Sequence, residues 1–488
     1  MIKLGAGMES GSRRMVLTPR FVANACRGRW RRECVELDLP LAGVSIDSRE
    51  RMPRRAFFAL RGERHDGHDH LAEAVRQGAD LLVVERRWGG SAEFDRGTGI
   101  LEVDDARRAL RSLAAAWREG LRDTRVIGVT GSCGKTTTRR LLEAALRTRL
   151  RGVASPKSFN NEIGVPLTIL SAPADAEFLL LEIGTSGPGE IAQLSAIAQP
   201  HLGVVTMVGR AHLEGLGSLE AVAAEKASLL DRLVGPAVAV TLADGGILAA
   251  AVRGRSGRLG ESITFGFGPS ASLRILARVP DGQGQWIELA PGRIGGEAVG
   301  GRVRLRLPGA HNAANAAAAI ASAVRLGIPF AEAAAAVGEV GPGDRRVEIE
   351  PLARGGTLIN DAYNANPESM SAALQTLVEV AGAGRPCRLV LGDMLELGGA
   401  SERLHLELAN EVVSLRERIE ILEVVWVGAG SRSAAAATEA AGVRTRHAEE
   451  ATPALAASLR EGLTSDSVVL LKASRGVGLD RIAAWMRE

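Results

Sequence analysis

The twelve residues 129–140, VTGSCGKTTTRR, constrain the fold more than any other stretch. An apolar run (RVIGVT) leads into small residues around one lysine, and a helix-forming run (TTTRRLLEAAL) follows. A buried strand that turns through glycines into a helix opens an α/β unit with a parallel sheet. At such a turn, backbone N–H groups and the helix dipole attract phosphate. Gly131 and Gly134 let the backbone approach a ligand closely. Lys135 can reach β- and γ-phosphate oxygens, and the Thr136 hydroxyl suits Mg²⁺. Val129 stands where the GxxxxGK[ST] pattern begins with glycine, so the loop is a variant, TGxxGKTT. It spans Thr130, Gly131, Ser132, Cys133, Gly134, Lys135, Thr136 and Thr137. A thiol at a helix N-terminus beside a lysine is expected to favour thiolate, and Cys133 has that place.

Lysine supplies only five of the 60 basic residues: Lys3, Lys135, Lys157, Lys226 and Lys472. Arginine carries the ordinary surface charge, so a retained lysine points to a position that needs a compact primary amine. Net charge is only +3, from 60 basic and 57 acidic residues, with no long single-sign run, which argues against a nucleic-acid partner. No apolar stretch reaches the ~18–20 residues of a membrane span. The opening MIKLGAGMESGSRRM lacks the apolar stretch of a secretory signal and is expected to be a loose tail, with Met8 and Met15 as alternative starts. Cys26, Cys34, Cys133 and Cys387 show no pairing or metal spacing, which suits a reducing cytoplasm.

A chain of 488 residues is expected to form about two to four domains, and its pattern divides into three beyond residues 1–15. Residues 16–122 alternate strand-like runs (AFFAL, DLLVVE) with helical ones. Residues 123–341 hold the phosphate loop, strands at EFLLLEIG and HLGVVTMV, a run of short β segments (SITFGFG to VRLRLPG) and an alanine-rich helix. Residues 342–488 alternate again, with strands at TLIND, CRLVLGD, VVWVGAG and SVVLLKA. All three are α/β. The middle one has a parallel sheet plus a β-rich part, and the last is a smaller doubly wound, Rossmann-like unit.

Polar residues collect where these strands end, the place where open α/β sheets bind ligands. Glu182 closes an apolar strand and is placed to hold Mg²⁺. His212 and Glu214 follow another strand. Lys226 lies on the next helix, and a lysine amine can take up CO₂ to give an anionic oxygen ligand, which arginine cannot. Arg345 and Arg346 sit at a domain junction, where one can clamp phosphate. His311 and Asn315 lie one helical turn apart, and asparagine suits adenine as both donor and acceptor. Asp361, the sole tyrosine Tyr363, Asn364 and Asn366 crowd one strand-to-helix turn. VLGDMLELG and LLKASRG are two further polar clusters at strand ends.

In order along the chain stand SIDSR, FFALRGERHDGHD, TGSCGKTTT, SFNNEIGVPLT, GEI after the Glu182 strand, AHLEGLGSLEAVAAEK, PGAHNAANAAAAIA, DAYNANPESM, LGDMLELG and KASRG. From about residue 16 onward this series resembles the Mur ligases of peptidoglycan synthesis. The likeness is strongest to the member that joins D-alanyl-D-alanine to UDP-N-acetylmuramoyl-tripeptide. A sibling that adds the third stem-peptide residue carries DNPR, a tetrapeptide absent here; that sibling and a non-catalytic nucleotide-binding homologue are the alternatives. The resemblance implies a UDP-substrate domain, a central ATPase domain and a C-terminal Rossmann-like domain in a cytoplasmic monomer that uses ATP and Mg²⁺. It implies that Lys135 and Thr136 serve ATP, with Thr136, Glu182, His212 and a carbamylated Lys226 around Mg²⁺. Lys135, Lys226, His212, Glu182 and Arg346 would be catalytic. Asn315, Arg346, Asp361, Tyr363 and Asn364 would line the nucleotide. Ser45, Asp47, Ser48, Arg49, Asn160 and Asn161 would face the muramoyl substrate.

Overall fold

The computed structural model describes residues 15–34, 36–90, 97–157, 159–244, 246–343, 345–352, 355–382 and 384–487. The expected tail, with Lys3 and Met8, lies outside them, as do Ser158 of SFNNEIGVPLT and Asp344 beside the Arg345–Arg346 pair. The described residues form two compact units: those up to 124, with 162–179, make the first, and those of 125–161 and from 180 onward the second.

In the first unit, strands β1 (Arg29–Arg32), β2 (Gly43–Ser45), β3 (Arg55–Phe58), β4 (Ala79–Glu85) and β5 (Gly99–Val103) form one sheet in the order β1-β5-β4-β3-β2. β2 to β5 are parallel, and β1 adds an antiparallel edge. β4 is buried along nearly its whole length, as an apolar run covered on both faces must be. The helix Ala106–Gly120 begins at an Asp105 cap and buries Leu110, Leu113 and Trp117. Its far end is pinned by Trp117, whose indole N–H donates to the Ala172 carbonyl at 2.9 Å, beside the helix Gly164–Ser171. Each such fully buried large side chain contributes about 1.5–3 kcal/mol.

The second unit carries two sheets. The larger consists of β6 (Arg125–Thr130), β7 (Gly152–Ala154), β8 (Phe178–Glu182), β9 (Leu202–Val205), β10 (Val238–Leu242), β11 (Glu261–Gly266), β12 (Leu273–Asp281), β13 (Gly284–Ile294) and β14 (Glu297–Leu305). Their order is β14-β13-β12-β11-β10-β9-β6-β8-β7. Pairing is parallel from β6 through β9, β10 and β11 to β12, then antiparallel through β13 to β14. The β-rich part expected from sequence is therefore an extension of the same sheet. The smaller sheet has β15 (Glu348–Pro351), β16 (Thr357–Asn360), β17 (Cys387–Gly392), β18 (Ile421–Val427), β19 (Thr445–Ala448) and β20 (Val468–Lys472), ordered β15-β16-β20-β17-β18-β19. Only β15 runs antiparallel to its neighbour. Two apolar clusters, one around Leu389, Trp426 and Leu470 and one around Val390, Val425 and Leu471, pack against this sheet. Strand alternation explains the division, because successive residues of β17, β18 and β20 point to opposite sides.

This topology sets β6 between β8 and β9 and aligns the ends of all three. The Ile183 N–H donates to the Val129 carbonyl at 2.8 Å, and the Thr206 N–H to the Thr130 carbonyl at 2.9 Å. Three loops thus leave the sheet side by side, and they carry the polar residues singled out above.

Candidate active site

The phosphate loop leaves β6 and enters the helix Lys135–Leu146 at Gly134. Gly131 (φ 149°) and Gly134 (φ 84°) both take backbone conformations that side chains resist. They are also tightly packed. A Cβ on Gly131 would lie 2.0 Å from the Thr206 hydroxyl oxygen, and one on Gly134 2.3 Å from Asn315 Oδ1. The loop is braced by Ser132, whose N–H donates to the Met207 carbonyl at 2.7 Å. Its hydroxyl donates to the Gly209 carbonyl and accepts from the Gly209 N–H, both at 3.0 Å.

Lys135 Nζ folds back to donate to the Gly131 carbonyl at 2.7 Å. Burial pushes its pKa down, against the opposing pull of the Glu182 carboxylate. Glu182 ends β8 almost wholly buried; its Oε1 accepts from Asn160 Nδ2 at 2.9 Å, while Oε2 has no hydrogen-bond partner. The hydroxyls of Thr130 and Thr136 are likewise buried without partners. Polar atoms left so in an interior are costly unless a ligand completes them.

A cavity of about 670 Å³ opens over this floor. It collects Ser132 to Thr137 of the loop with Asn160, Asn161, Glu182 and His212. From the other side come Arg346, Asp361, Tyr363 and Asn364. Arg346 lies flat on the sole tyrosine, its guanidinium carbon 4.1 Å from the Tyr363 ring centre, and its Nε is buried without a partner. Of the two adjacent arginines, Arg345 instead turns to Asp480, at 2.7 Å. Asp361 is held by the buried Lys472, whose Nζ lies 2.7 Å from Asp361 Oδ2 and donates to the Asn364 carbonyl at 2.9 Å.

The structure adds local detail to Asn315 and Lys226 and overturns one expectation, the thiolate at Cys133. Asn315 lines the cavity, but its amide is engaged locally: Oδ1 accepts from Thr138 Oγ1 at 3.3 Å and Nδ2 donates to Asn312 Oδ1 at 3.3 Å, so it buttresses the loop. Cys133 Sγ lies 3.2 and 3.1 Å from the two amide atoms of Asn366. Loss of water around that thiol raises its pKa, outweighing Asn366 and the nearby lysines, so thiolate is disfavoured. Lys226 is fully buried on the helix Leu219–Ala227 and is not among the lining residues. Its Nζ has no hydrogen-bond partner. Burial, with the Lys135 charge added, takes its pKa from 10.5 to about 7.

Sequence reading missed part of the wall. Leu242, Phe265 and Phe267 form an apolar end, with Asp244 accepting from the Phe267 N–H at 2.9 Å. Apolar residues at strand ends carry no signal of their own. A second, polar cavity of about 280 Å³ shares Ser132, Lys135, His212, Asn364 and Arg475 with the first and adds Glu396 and Ser474. Its residues belong to LGDMLELG and KASRG, clusters seen in sequence without individual roles. Among the described residues no three His, Cys, Asp or Glu side chains converge as a ready metal cage, and no helix is long and apolar enough to cross a membrane.

In the first unit, Ser45 ends β2 and is buried, its hydroxyl accepting from the Asp47 N–H and lying 3.1 Å from Glu50 Oε2. Arg49 grips Asp47 through two bonds of 2.8 and 2.7 Å and holds that carboxyl down at about 2. Ser48 is buried beside them, so SIDSR forms a local polar turn at a strand end.

Comparison with known proteins gives three family matches: the Mur ligase family catalytic domain over residues 40–118, the Mur ligase middle domain over 129–323, and the Mur ligase glutamate ligase domain over 345–475. The UDP-N-acetylmuramoyl-tripeptide–D-alanyl-D-alanine ligase of Bacillus subtilis is 33% identical, covering 91% of this chain and 93% of that protein. Among solved structures, a MurF crystal structure from Acinetobacter baumannii has a TM-score of 0.83 at 27% identity, covering 96% of this chain and 99% of that one. A MurF ligase from Thermotoga maritima in complex with ADP has a TM-score of 0.75 at 27% identity, covering 91% and 97%. With matches that run through both units and nearly the full length of its relatives, the chain belongs to the Mur ligase family.

Proposed function

We propose that this chain joins D-alanyl-D-alanine to the terminal carboxylate of UDP-N-acetylmuramoyl-tripeptide at the expense of ATP. The observation that carries the reading is the phosphate loop, with its unsatisfied Thr136 and Glu182 oxygens, opening on one cavity with Arg346, Asp361, Tyr363 and Asn364. A carboxylate does not condense with an amine at neutral pH, because oxide is a poor leaving group. Transfer of the γ-phosphoryl group to a carboxylate oxygen gives an acyl phosphate and ADP. The dipeptide amine then attacks the acyl carbon, loses a proton, and phosphate departs from the tetrahedral intermediate with that oxygen.

The loop amides and Lys135 take the phosphoryl charge, and Arg346 is suited to the same work from across the cavity. The nucleobase is assigned to the apolar end at Phe265 and Phe267. The donor set suits Mg²⁺, a hard cation that binds through few carboxylates plus phosphate oxygens. Thr136, Glu182 and His212 would hold it. When bound, Mg²⁺ offsets the repulsion between the incoming carboxylate and the polyphosphate. A buried amine of pKa about 7 is substantially neutral at pH 7. It can therefore add CO₂ and release a proton, leaving an anionic carbamate on Lys226. The dipeptide is assigned to the second cavity, where Arg475 suits its carboxylate. Ser45, Asp47, Ser48 and Arg49 are assigned to the UDP-muramoyl substrate. The domains read from sequence, 16–122, 123–341 and 342–488, would each bring one substrate, in a cytoplasmic enzyme that acts as a monomer.

ADP formation with each substrate pair tests the reading. It should require UDP-N-acetylmuramoyl-tripeptide and D-alanyl-D-alanine together. Turnover with the dipeptide precursor and a single amino acid would assign the chain to the sibling reaction, and ATP hydrolysis indifferent to both would remove the ligase reading.

A further inference from the structure

The loop that carries His212 is tied to the phosphate loop at Gly209 through Ser132, and beyond Gly209 it is also held by residues around the smaller sheet. Arg210 Nε and N–H reach Glu368 at 2.9 Å each, and Arg210 Nη1 reaches Glu407 at 2.7 Å. The Glu214 N–H donates to the Glu396 carbonyl at 3.0 Å. Leu213 packs on the apolar cluster under the smaller sheet. His212 Nδ1 lies 2.5 Å from Glu396 Oε2. Both members of that last pair have left-handed backbones, His212 at φ 57° and Glu396 at φ 63°. Side chains resist this conformation, and it persists only where surrounding contacts impose it, a pattern that concentrates at functional sites. Two such residues, 184 positions apart, bond to each other at the edge of the second cavity.

We propose that Glu396 is a positioning residue for His212, fixing the imidazole for metal ligation only when residues 345–487 are docked on the 208–214 loop. The inference rests on the reading of His212 as a metal ligand. An ionised carboxylate only accepts hydrogen bonds, so Nδ1 must carry the proton in this pair. Nε2 then keeps the lone pair, and a ligating histidine whose other nitrogen is tied to a carboxylate has its tautomer and ring orientation fixed. Glu396 touches neither nucleotide nor metal in this scheme. Its effect passes through the ring.

Two measurements test it, in Glu396→Ala, Glu396→Gln and His212→Ala full-length protein. Mn²⁺ binding in the presence of ADP, read by electron paramagnetic resonance, should weaken about 10- to 100-fold in E396A. E396Q, whose amide oxygen still accepts from Nδ1–H, should recover much of that loss. The ¹⁵N spectrum of histidine-labelled, metal-free protein should show His212, identified by its absence in H212A, as the Nδ1–H tautomer, and as a tautomer mixture in E396A. Unchanged Mn²⁺ affinity in E396A together with a weakened H212A overturns the role of Glu396 alone. Unchanged affinity in H212A removes the ligand reading beneath it. Should E396A fail to fold, the wild-type tautomer decides: His212 protonated on Nε2 alone overturns the proposal.

Discussion

Replacing Lys226 with methionine should make the protein more stable and at the same time inactive. The amine is fully buried and without a hydrogen-bond partner, and its pKa falls from 10.5 to about 7. A drop of that size is a penalty of roughly 4–5 kcal/mol on the charged form. The sign follows from proton binding. Between about pH 7 and 10.5 the unfolded chain holds a proton that the folded chain lacks, so stability rises with pH across that window. Below pH 7 the folded state bears the whole penalty. For wild type the gain from pH 7 to pH 9 is about 2 kcal/mol. Methionine fills similar volume without the charge, so Lys226→Met should gain on the order of 1–4 kcal/mol at pH 7 and lose that slope. Urea denaturation from pH 6 to 9 in CO₂-free buffer measures both, and ligase assays give activity. A variant less stable than wild type at pH 7, with the same pH slope, would refute the buried neutral amine.

Gly134→Ala should abolish ADP binding in calorimetry. The left-handed backbone costs a side chain about 1–2 kcal/mol, and the added Cβ would meet Asn315 Oδ1 at 2.3 Å. Removing one partner of the buried Lys472–Asp361 pair, as in Lys472→Met, should cost about 3–5 kcal/mol in denaturant unfolding. The double variant Lys472→Met, Asp361→Leu should recover most of it; a double variant as unstable as the single would contradict the pairing. Cys133, its thiol pKa raised by loss of water around it, should react with iodoacetamide at pH 7.5 more slowly than free cysteine, and faster reaction would contradict the environment described.

The parallel core was legible because its strands are apolar runs that end in glycine or polar residues, and β6, β8, β9, β17, β18 and β20 appear where expected. β1 (RWRR), β2 (GVS), β7 (GVA), β15 and β19 were not, because runs of only three or four residues, charged in β1, β15 and β19, acquire strand form only from a partner. In the site, residues with chemistry of their own were visible one by one. What they touch was not. Asn366 meets Cys133 across 233 positions and Glu396 meets His212 across 184, distances at which no local pattern survives. The scarcity of lysine was the one global signal that reached the interior. Among the lysines it marked, Lys226 and Lys472 proved to be buried.

The central claim is that the peptide's carboxylate is phosphorylated before the amine attacks. Its most direct test uses tripeptide substrate labelled with ¹⁸O in that carboxylate. One labelled oxygen should appear in the inorganic phosphate for each amide formed, in the presence of D-alanyl-D-alanine. Amide formation that leaves the released phosphate unlabelled would contradict the account.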